Sequence, residues 1–288
     1  MVTLAEQLKL TTDRLQVAGI DTAALDARVL ISHALNLSQE SLVRDAARTL
    51  SAEETNAVEQ LVARRVLREP VSHLTGVRGF WKDTFKVTHD VLTPRPDSET
   101  MIEGLLKFRP DTMRDYTILD LGTGSGCLLL SALREYENAR GVGVDVSRAA
   151  LDVARGNAAR LELASRATFI ESDWLESVDK NLRADIVLMN PPYIPTHDIT
   201  TLAHEVRDHE PHLALDGGQD GLDCYRKIIS QLTSQFSLYL SNHPLILIEV
   251  GVSQATAVAE IGRTNGLKLT SILPDLAGIA RIVVLELP

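Results

Sequence analysis

From residue 116 onward the chain alternates short apolar runs with amphipathic stretches. The runs near 116–121, 141–145, 167–171, 185–190, 244–250, 267–272 and 280–287 read as strands, and helical spacing fills most of the gaps. Such alternation predicts an open, mostly parallel sheet with helices on both faces. The last two runs are joined by a short Pro-containing link with no helical pattern, which predicts an antiparallel final pair. Before residue 75 the signals are helical only. Thr3-x-x-Glu6 and Ser51-x-x-Glu54 fit capping boxes. Val58, Leu61, Val62 and Val66 form one apolar stripe at helical spacing, suited to the core of a small bundle of four or five helices. Residues 76–93 change character: Phe85, Val87 and Val91 among polar neighbours suggest a β hairpin. Three regions follow: 1–75 helical, 76–93 a hairpin linker, and 94–288 the α/β domain.

Ligands of such sheets bind outside the carboxyl ends of the strands, and those ends carry unusual residues here. Asn190-Pro191-Pro192-Tyr193 closes the apolar strand Asp185–Met189. Proline has a fixed φ and no N–H, so the pair leaves a rigid turn that presents carbonyl oxygens. With the Asn190 side-chain oxygen they give converging acceptors suited to a planar NH2 group, and Tyr193 can supply an aromatic wall. The alternative is a strand simply closed by a proline turn.

Upstream, Tyr116–Leu121 leads into Gly122-Thr123-Gly124-Ser125-Gly126 and then an apolar helical run from Cys127. A glycine turn between strand and helix brings a ligand to backbone N–H groups. A dinucleotide fingerprint would need a third glycine at position 127, which is Cys. The alternation G-x-G-x-G suits a nucleoside without a pyrophosphate. Asp145 ends the next strand, nineteen residues after Gly126. It either accepts both ribose hydroxyl protons or caps the helix starting near Ser147, and the glycine turn at this spacing favours ribose. Asp173-Trp174 follows the next strand, where the ring could stack on an adenine and the carboxylate accept from its amine, or the ring could belong to the core. Glu249, ending another apolar strand, either shapes the site or is structural.

Composition narrows the class. The chain has 288 residues, a net charge of −10, 44% hydrophobic and 24% charged residues, ordinary for a globular protein. The acidic balance argues against broad nucleic-acid contact and is compatible with a basic protein partner. Two cysteines, Cys127 and Cys224, read as buried thiols of a reducing compartment. Neither a basic-then-apolar leader nor an apolar run near ~18 residues is visible, so a cytoplasmic protein without a membrane span is expected. His197, His204, His209 and His212 match no metal-ligand spacing, so no metal is expected.

These pieces, in this order, resemble a class I S-adenosylmethionine methyltransferase. Arg68-Glu69-Pro70-Val71, Gly79-Phe80-Trp81 and Val91-Leu92-Thr93-Pro94-Arg95-Pro96-Asp97-Ser98-Glu99 precede the glycine turn, and the run from His209 to Leu222 follows the Asn-Pro-Pro-Tyr turn. The whole series is similar to the HemK/PrmC family, the peptide-chain-release-factor glutamine N5-methyltransferases. A sister family acting on a ribosomal-protein glutamine shares Asn-Pro-Pro-Tyr but differs from Pro-Arg-Pro-Asp-Ser-Glu. Ser98 stands where the family more often has Thr, and Gly278-Ile279-Ala280-Arg281 is a loose form of its C-terminal signature.

The resemblance implies a Rossmann-like domain with a seven-stranded sheet, S-adenosyl-L-methionine as cofactor with S-adenosyl-L-homocysteine as product, and no metal. It implies a substrate glutamine in the Gly-Gly-Gln loop of class I release factors, held by a chain acting as a monomer, with the N-terminal bundle recognising the substrate. Gly122, Thr123, Gly124, Ser125, Gly126, Asp145, Asp173, Trp174 and Asn190 would hold the cofactor. Asn190, Pro191, Pro192 and Tyr193 would hold the amide, with Asn190, Pro191 and Tyr193 at the chemistry. Other readings are a ribosomal-protein glutamine methyltransferase, an adenine N6-methyltransferase on nucleic acid, and a non-catalytic cofactor-binding module.

Overall fold

A computed structural model describes residues 2–234 and 239–288 of the chain. The chain forms two compact units. The first comprises Met1–Val77 with Ala203–His209, the second Arg78–Leu202 with Glu210–Pro288.

The first unit is helical because its caps and apolar stripes agree. Helix α1 (Leu4–Val17) opens with a closed capping box, the Thr3 hydroxyl accepting from Glu6 N and the Glu6 carboxylate accepting from Thr3 N. α2 (Ala23–Leu35) ends at Asn36 in the left-handed conformation, φ 51°, which Asn tolerates better than most side chains. α3 (Gln39–Arg44) is capped by Ser38, and α4 (Ala52–Val66) by a second box of Ser51 and Glu54. α5 (Val71–Thr75) closes at Gly76. Val58, Val62 and Val66 of the predicted stripe pack with Leu4, Leu15, Ile20, Ala27, Ile31 and Leu50. The returning segment 203–209 adds an ionic centre to this unit. The buried Arg65 guanidinium donates to Asp26 at 2.8 Å and to Glu205 at 3.1 Å, and Glu205 also accepts from Arg68 at 3.2 Å. A buried ion left without a partner typically costs ~3–5 kcal/mol, and Asp26 with Glu205 keeps the Arg65 charge compensated.

The second unit opens with a hairpin, β1 (Val77–Phe80) and β2 (Asp83–Lys86), and α6 (Glu99–Phe108). Then come β3 (Thr117–Leu121), α7 (Cys127–Glu135), β4 (Arg140–Asp145), α8 (Arg148–Arg160), β5 (Ala167–Glu171) and β6 (Ala184–Met189). β7 (Leu240–Glu249), β8 (Lys268–Pro274) and β9 (Ala280–Glu286) complete the sheet. Its order is β5-β4-β3-β6-β7-β9-β8. β3 to β7 run parallel, whereas β9 is antiparallel to both neighbours, as the short final link predicts.

The apolar runs are continuous because both faces are covered. Ile118, Ile186, Leu188 and Leu247 point to one face and meet Met101 and Leu105 of α6 and Leu129 and Leu133 of α7. Leu119, Val187, Ile246 and Ile248 point to the other, against Tyr225, Ile228 and Leu232 of α10 (Asp223–Ser234) and Val258 of α11 (Ala255–Thr264). The label α9 belongs to the short helix His204–Arg207 of the first unit. The hairpin is more than a linker. Phe80 and Phe85, 1% and 0% exposed, join the first of these cores, their rings edge to face at 6.2 Å. Such a pair adds ~0.5–1.5 kcal/mol beyond its burial.

Candidate active site

Four strands of the sheet end at one rim, and a cavity of about 340 Å³ opens there, within the range of small-molecule sites. β3 runs into the turn Gly122–Gly126. Gly122 N and Thr123 N both donate to Val144 O of β4 at 2.9 Å, so the turn is sewn to the neighbouring strand. Gly124 has φ +54° and nothing within 4 Å of where a Cβ would stand, so a side chain there would intrude into open space. Gly126, φ +79°, lies where a Cβ would crowd Leu130 and Ala154 at 3.2 and 3.3 Å, the close approach that seats α7 beside α8. The fully buried Asn157 locks this arrangement. Its amide donates to Ser125 O at 2.9 Å and Lys86 O at 3.0 Å, and its oxygen accepts from Lys86 N at 2.7 Å.

Asp145 ends β4 on the cavity wall. One carboxylate oxygen accepts from Gly124 N and the other from Ser147 N, each at 2.9 Å. Ser147 itself caps α8 through Ala150 N, so the capping duty weighed for Asp145 falls to its neighbour. A carboxylate offers about four lone-pair sites, and those not facing the backbone N–H groups are left to meet ligand hydroxyls. Burial raises the Asp145 pKa, partly offset by the backbone donors of Ser147, Gly124 and Val146.

Trp174 also lines the cavity, its ring 3.4 Å from where a Gly122 Cβ would stand, and it packs on the apolar core behind. The two roles weighed for this ring are thus compatible. Asp173 lines the cavity too, while one of its oxygens accepts from Lys227 at 2.5 Å, an ion pair that leaves its second oxygen for other donors.

Asn190 and Pro192 stand on the wall where β6 ends. Asn190 Nδ2 faces Ser98 Oγ at 3.4 Å, which leaves its Oδ1 for a partner. Gly126, Pro191 and Tyr193 are not wall residues. Pro191 is buried. The Tyr193 carbonyl accepts from Gln254 at 2.9 Å, and its ring abuts Gly251. Burial pushes the Tyr193 hydroxyl up to about 12, so it stays protonated.

Sequence reasoning missed several wall and support residues. Arg95 lines the cavity and donates to the buried Glu210 at 2.6 Å, holding together the segments around Pro94 and Pro211, both of which form wall. Asp120 is fully buried in β3. Its Oδ2 accepts from the Thr123 hydroxyl at 2.6 Å, its Oδ1 has no hydrogen-bond partner, and burial lifts its pKa to about 7. The only sequence signal was an acid inside the apolar run Thr117–Leu121. Among the described residues no group of three or more His, Cys, Asp or Glu side chains could hold a metal ion, and no helix is long and apolar enough to cross a membrane.

A mostly parallel seven-stranded sheet reversed near its end, with a glycine turn after the first of its strands in chain order, is the fold of a class I S-adenosylmethionine-dependent methyltransferase. A methyltransferase from Pyrococcus furiosus shares it, with a TM-score of 0.52 at 15% identity over 70% of this chain and 87% of that one. Within the sequence, residues 6–76 match the PrmC N-terminal domain and residues 113–262 a methyltransferase domain. The release factor glutamine methyltransferase of Caulobacter vibrioides is 42% identical over 98% of this chain and 96% of its own length, and that of Cereibacter sphaeroides is 42% identical over 99% and 98%. The chain belongs to the release factor glutamine methyltransferase family, as the motifs implied.

Proposed function

We propose that the protein transfers a methyl group from S-adenosyl-L-methionine to the side-chain amide nitrogen, N5, of the glutamine in the Gly-Gly-Gln loop of class I peptide chain release factors, in the cytoplasm, and that it acts as a monomer. The observation that carries this reading is Asn190 at the mouth of β6, its amide nitrogen toward Ser98 and its oxygen unclaimed. Bound in the cavity, S-adenosyl-L-methionine supplies an electrophilic methyl group on sulfur. Gly122, Thr123, Gly124 and Ser125 line the cavity, where the glycines let a ligand lie close against the backbone; Asp145 turns its remaining lone pairs to the ribose hydroxyls, and Trp174 with Asp173 flanks the purine.

The acceptor is a poor nucleophile because its lone pair is delocalised into the carbonyl. Asn190 Oδ1, on the cavity wall, accepts one of its N–H bonds, and the backbone carbonyl of Pro191, which lies behind that wall, accepts the other once the substrate enters the turn; this orients the nitrogen and weakens that resonance. Pro192 and the Tyr193 ring stiffen the turn. Orientation of this kind is worth ~7–11 kcal/mol at best, and acceptors facing charge that develops on nitrogen add an electrostatic contribution. No strong base is needed first, since the methylated amide nitrogen becomes strongly acidic and gives its proton to water. The two glycines of the loop let a narrow backbone reach the cavity, and the first helical unit binds another part of the release factor. The net charge of −10 disfavours nucleic acid as the partner.

The test is to incubate the protein with methyl-labelled S-adenosylmethionine, purified release factors, ribosomal proteins and DNA. Label on the release-factor glutamine is the expected result. Label on a ribosomal protein or on adenine instead would overturn the assignment.

A further inference from the structure

An Asn side chain has two nearly isosteric settings, related by a flip of its amide. Only one of them lets Asn190 accept from a substrate NH2; the other meets it donor to donor. Something has to choose, and two buried groups stand in position to do so. β6 and β7 are parallel neighbours with Met189 opposite Ile248, so Asn190 and Glu249 leave adjacent strands at the same level. Glu249 is 1% exposed, and Ser98, just before α6, is 2% exposed. Asn190 Nδ2 faces Ser98 Oγ at 3.4 Å. The Ser98 and Asn190 side chains lie near enough to the Glu249 carboxyl to favour its ionised form, while its Oε2 has no hydrogen-bond partner.

A purely structural position would be better filled by an apolar residue than by a buried acid left partly unsatisfied. Nor is Glu249 claimed by the nearby cation: the Arg281 guanidinium donates to Asp275 at 3.1 Å and Asp97 at 3.2 Å. An ionised carboxylate only accepts. Facing it, Ser98 must donate its hydroxyl proton inward, which turns the Ser98 lone pairs toward Asn190. Asn190 must then present its NH2 to Ser98 and Glu249 and its oxygen to the cavity.

We infer that Glu249 and Ser98 are positioning residues that set the flip of the Asn190 amide, so that its carbonyl oxygen faces the substrate. The inference rests on the reading of Asn190 as an acceptor for a substrate NH2. A protonated Glu249 could donate to Ser98 and let the chain of hydrogen bonds reverse. Burial raises its pKa to about 7, against the hydrogen bond from Ser98 and the charge of Arg281, with Asp97 adding to the rise and Tyr193, Tyr225 and Cys127 also within its field.

The test is Glu249→Gln in the full chain, whose NH2 can donate to Ser98 and so permits either flip. The expected result is a kcat lower by ~10- to 100-fold, the scale on which groups that orient metal ligands act, with cofactor affinity close to wild type and no loss of melting temperature. Ser98→Ala, which removes the relay without a charge change, should lower kcat in the same way and guards against a folding defect in the first variant. The second arm uses no substrate. In 15N-labelled protein the Asn190 side-chain amide signals, assigned through their loss in Asn190→Ala, should shift as pH passes through 7 in wild type and not in Glu249→Gln. Signals altered by Glu249→Gln support the anchor even if release factor proves not to be the substrate. Signals that neither titrate nor change in that variant overturn it, as does a Glu249→Gln kcat within twofold of wild type.

Discussion

Replacing Asp145 by Ala tests the cofactor half of the site most directly, because the structure gives this carboxylate two separable jobs. Inside the protein it accepts from Gly124 N and Ser147 N, both at 2.9 Å. Toward the cavity it keeps its remaining lone pairs, which on the proposed reading accept both ribose hydroxyls. Hydrogen bonds to a charged acceptor are worth ~1.5–3 kcal/mol, and two sharing one carboxylate are not additive. A total loss of ~1.5–3 kcal/mol is therefore expected, or roughly 10- to 150-fold in Kd. Stability should change much less. Two backbone donors lose their partner beside an open cavity where water can replace it, and the cost of burying the charge, visible in the raised Asp145 pKa, disappears. Calorimetric titration with S-adenosyl-homocysteine measures the affinity, and a thermal melt checks the fold. Asp145→Asn sharpens the test. Its amide has one acceptor oxygen, so its NH2 must face Gly124 N–H or Ser147 N–H, donor to donor, and it should not restore affinity despite its shape. An Asp145→Ala affinity within twofold of wild type would remove Asp145 from the site.

Asn190→Ala should lower the single-turnover rate by ~10²–10³ with cofactor and release factor saturating; a rate within threefold of wild type would reduce Asn190 to a strand terminator. A chain starting at Arg78 keeps Phe80 and Phe85 in the core of the second unit, so it should bind S-adenosylmethionine and methylate a short glutamine peptide while losing most activity on intact release factor; equal loss on both would give the helical unit a role in folding only. A chain starting near residue 88 discards both rings, each costing ~3–5 kcal/mol when truncated, and should melt far lower. The pKa of Glu249 is raised from 4.5 to about 7, so between those values the folded state holds a proton that the unfolded state has lost, and stability falls as pH rises, by at most ~1.4 kcal/mol per unit. In urea titrations the stability of Glu249→Gln relative to wild type should therefore grow from pH 4.5 to 7 and level off above; a flat difference would refute the raised pKa.

What the sequence made legible were features that are local in the chain. The strands, the glycine turn, Asp145 and Asn190 announce themselves through apolar runs that stop at a small or polar residue, and a parallel sheet brings such stops to one rim. The capping boxes of α1 and α4 are equally local, closing within four residues. What stayed hidden is assembled across distance. Nothing near Asp173 signals Lys227, fifty-four positions away. The return of Ala203–His209 to the helical unit has no apolar signature, because it is fastened by Arg65, Arg68 and Glu205 rather than by a stripe. The hairpin reads as a linker because only one of its aromatics, Phe85, sits in an alternating pattern. Its place in a core depends on helices that come later in the chain.

The arrangement of acids around the rim follows from what an amide acceptor requires. A carboxylate in the place of Asn190 would accept from a substrate NH2 as well as an amide does. It would also set a full negative charge beside the methyl donor in the ground state, where attraction lowers KM without helping turnover. A neutral oxygen avoids this, but a neutral amide can flip. On the inference above, setting the acid one layer back, at Glu249, keeps the charge out of the reacting contact, while in its ionised form it only accepts and so fixes the flip. Asp145 faces the opposite need, since ribose hydroxyls are donors that a carboxylate can satisfy in either orientation, and it stands on the wall itself. The difference lies in their surroundings. Asp145 is met by backbone N–H groups that favour its charge, and Glu249 by a hydroxyl and an amide that only a correctly turned Asn190 completes.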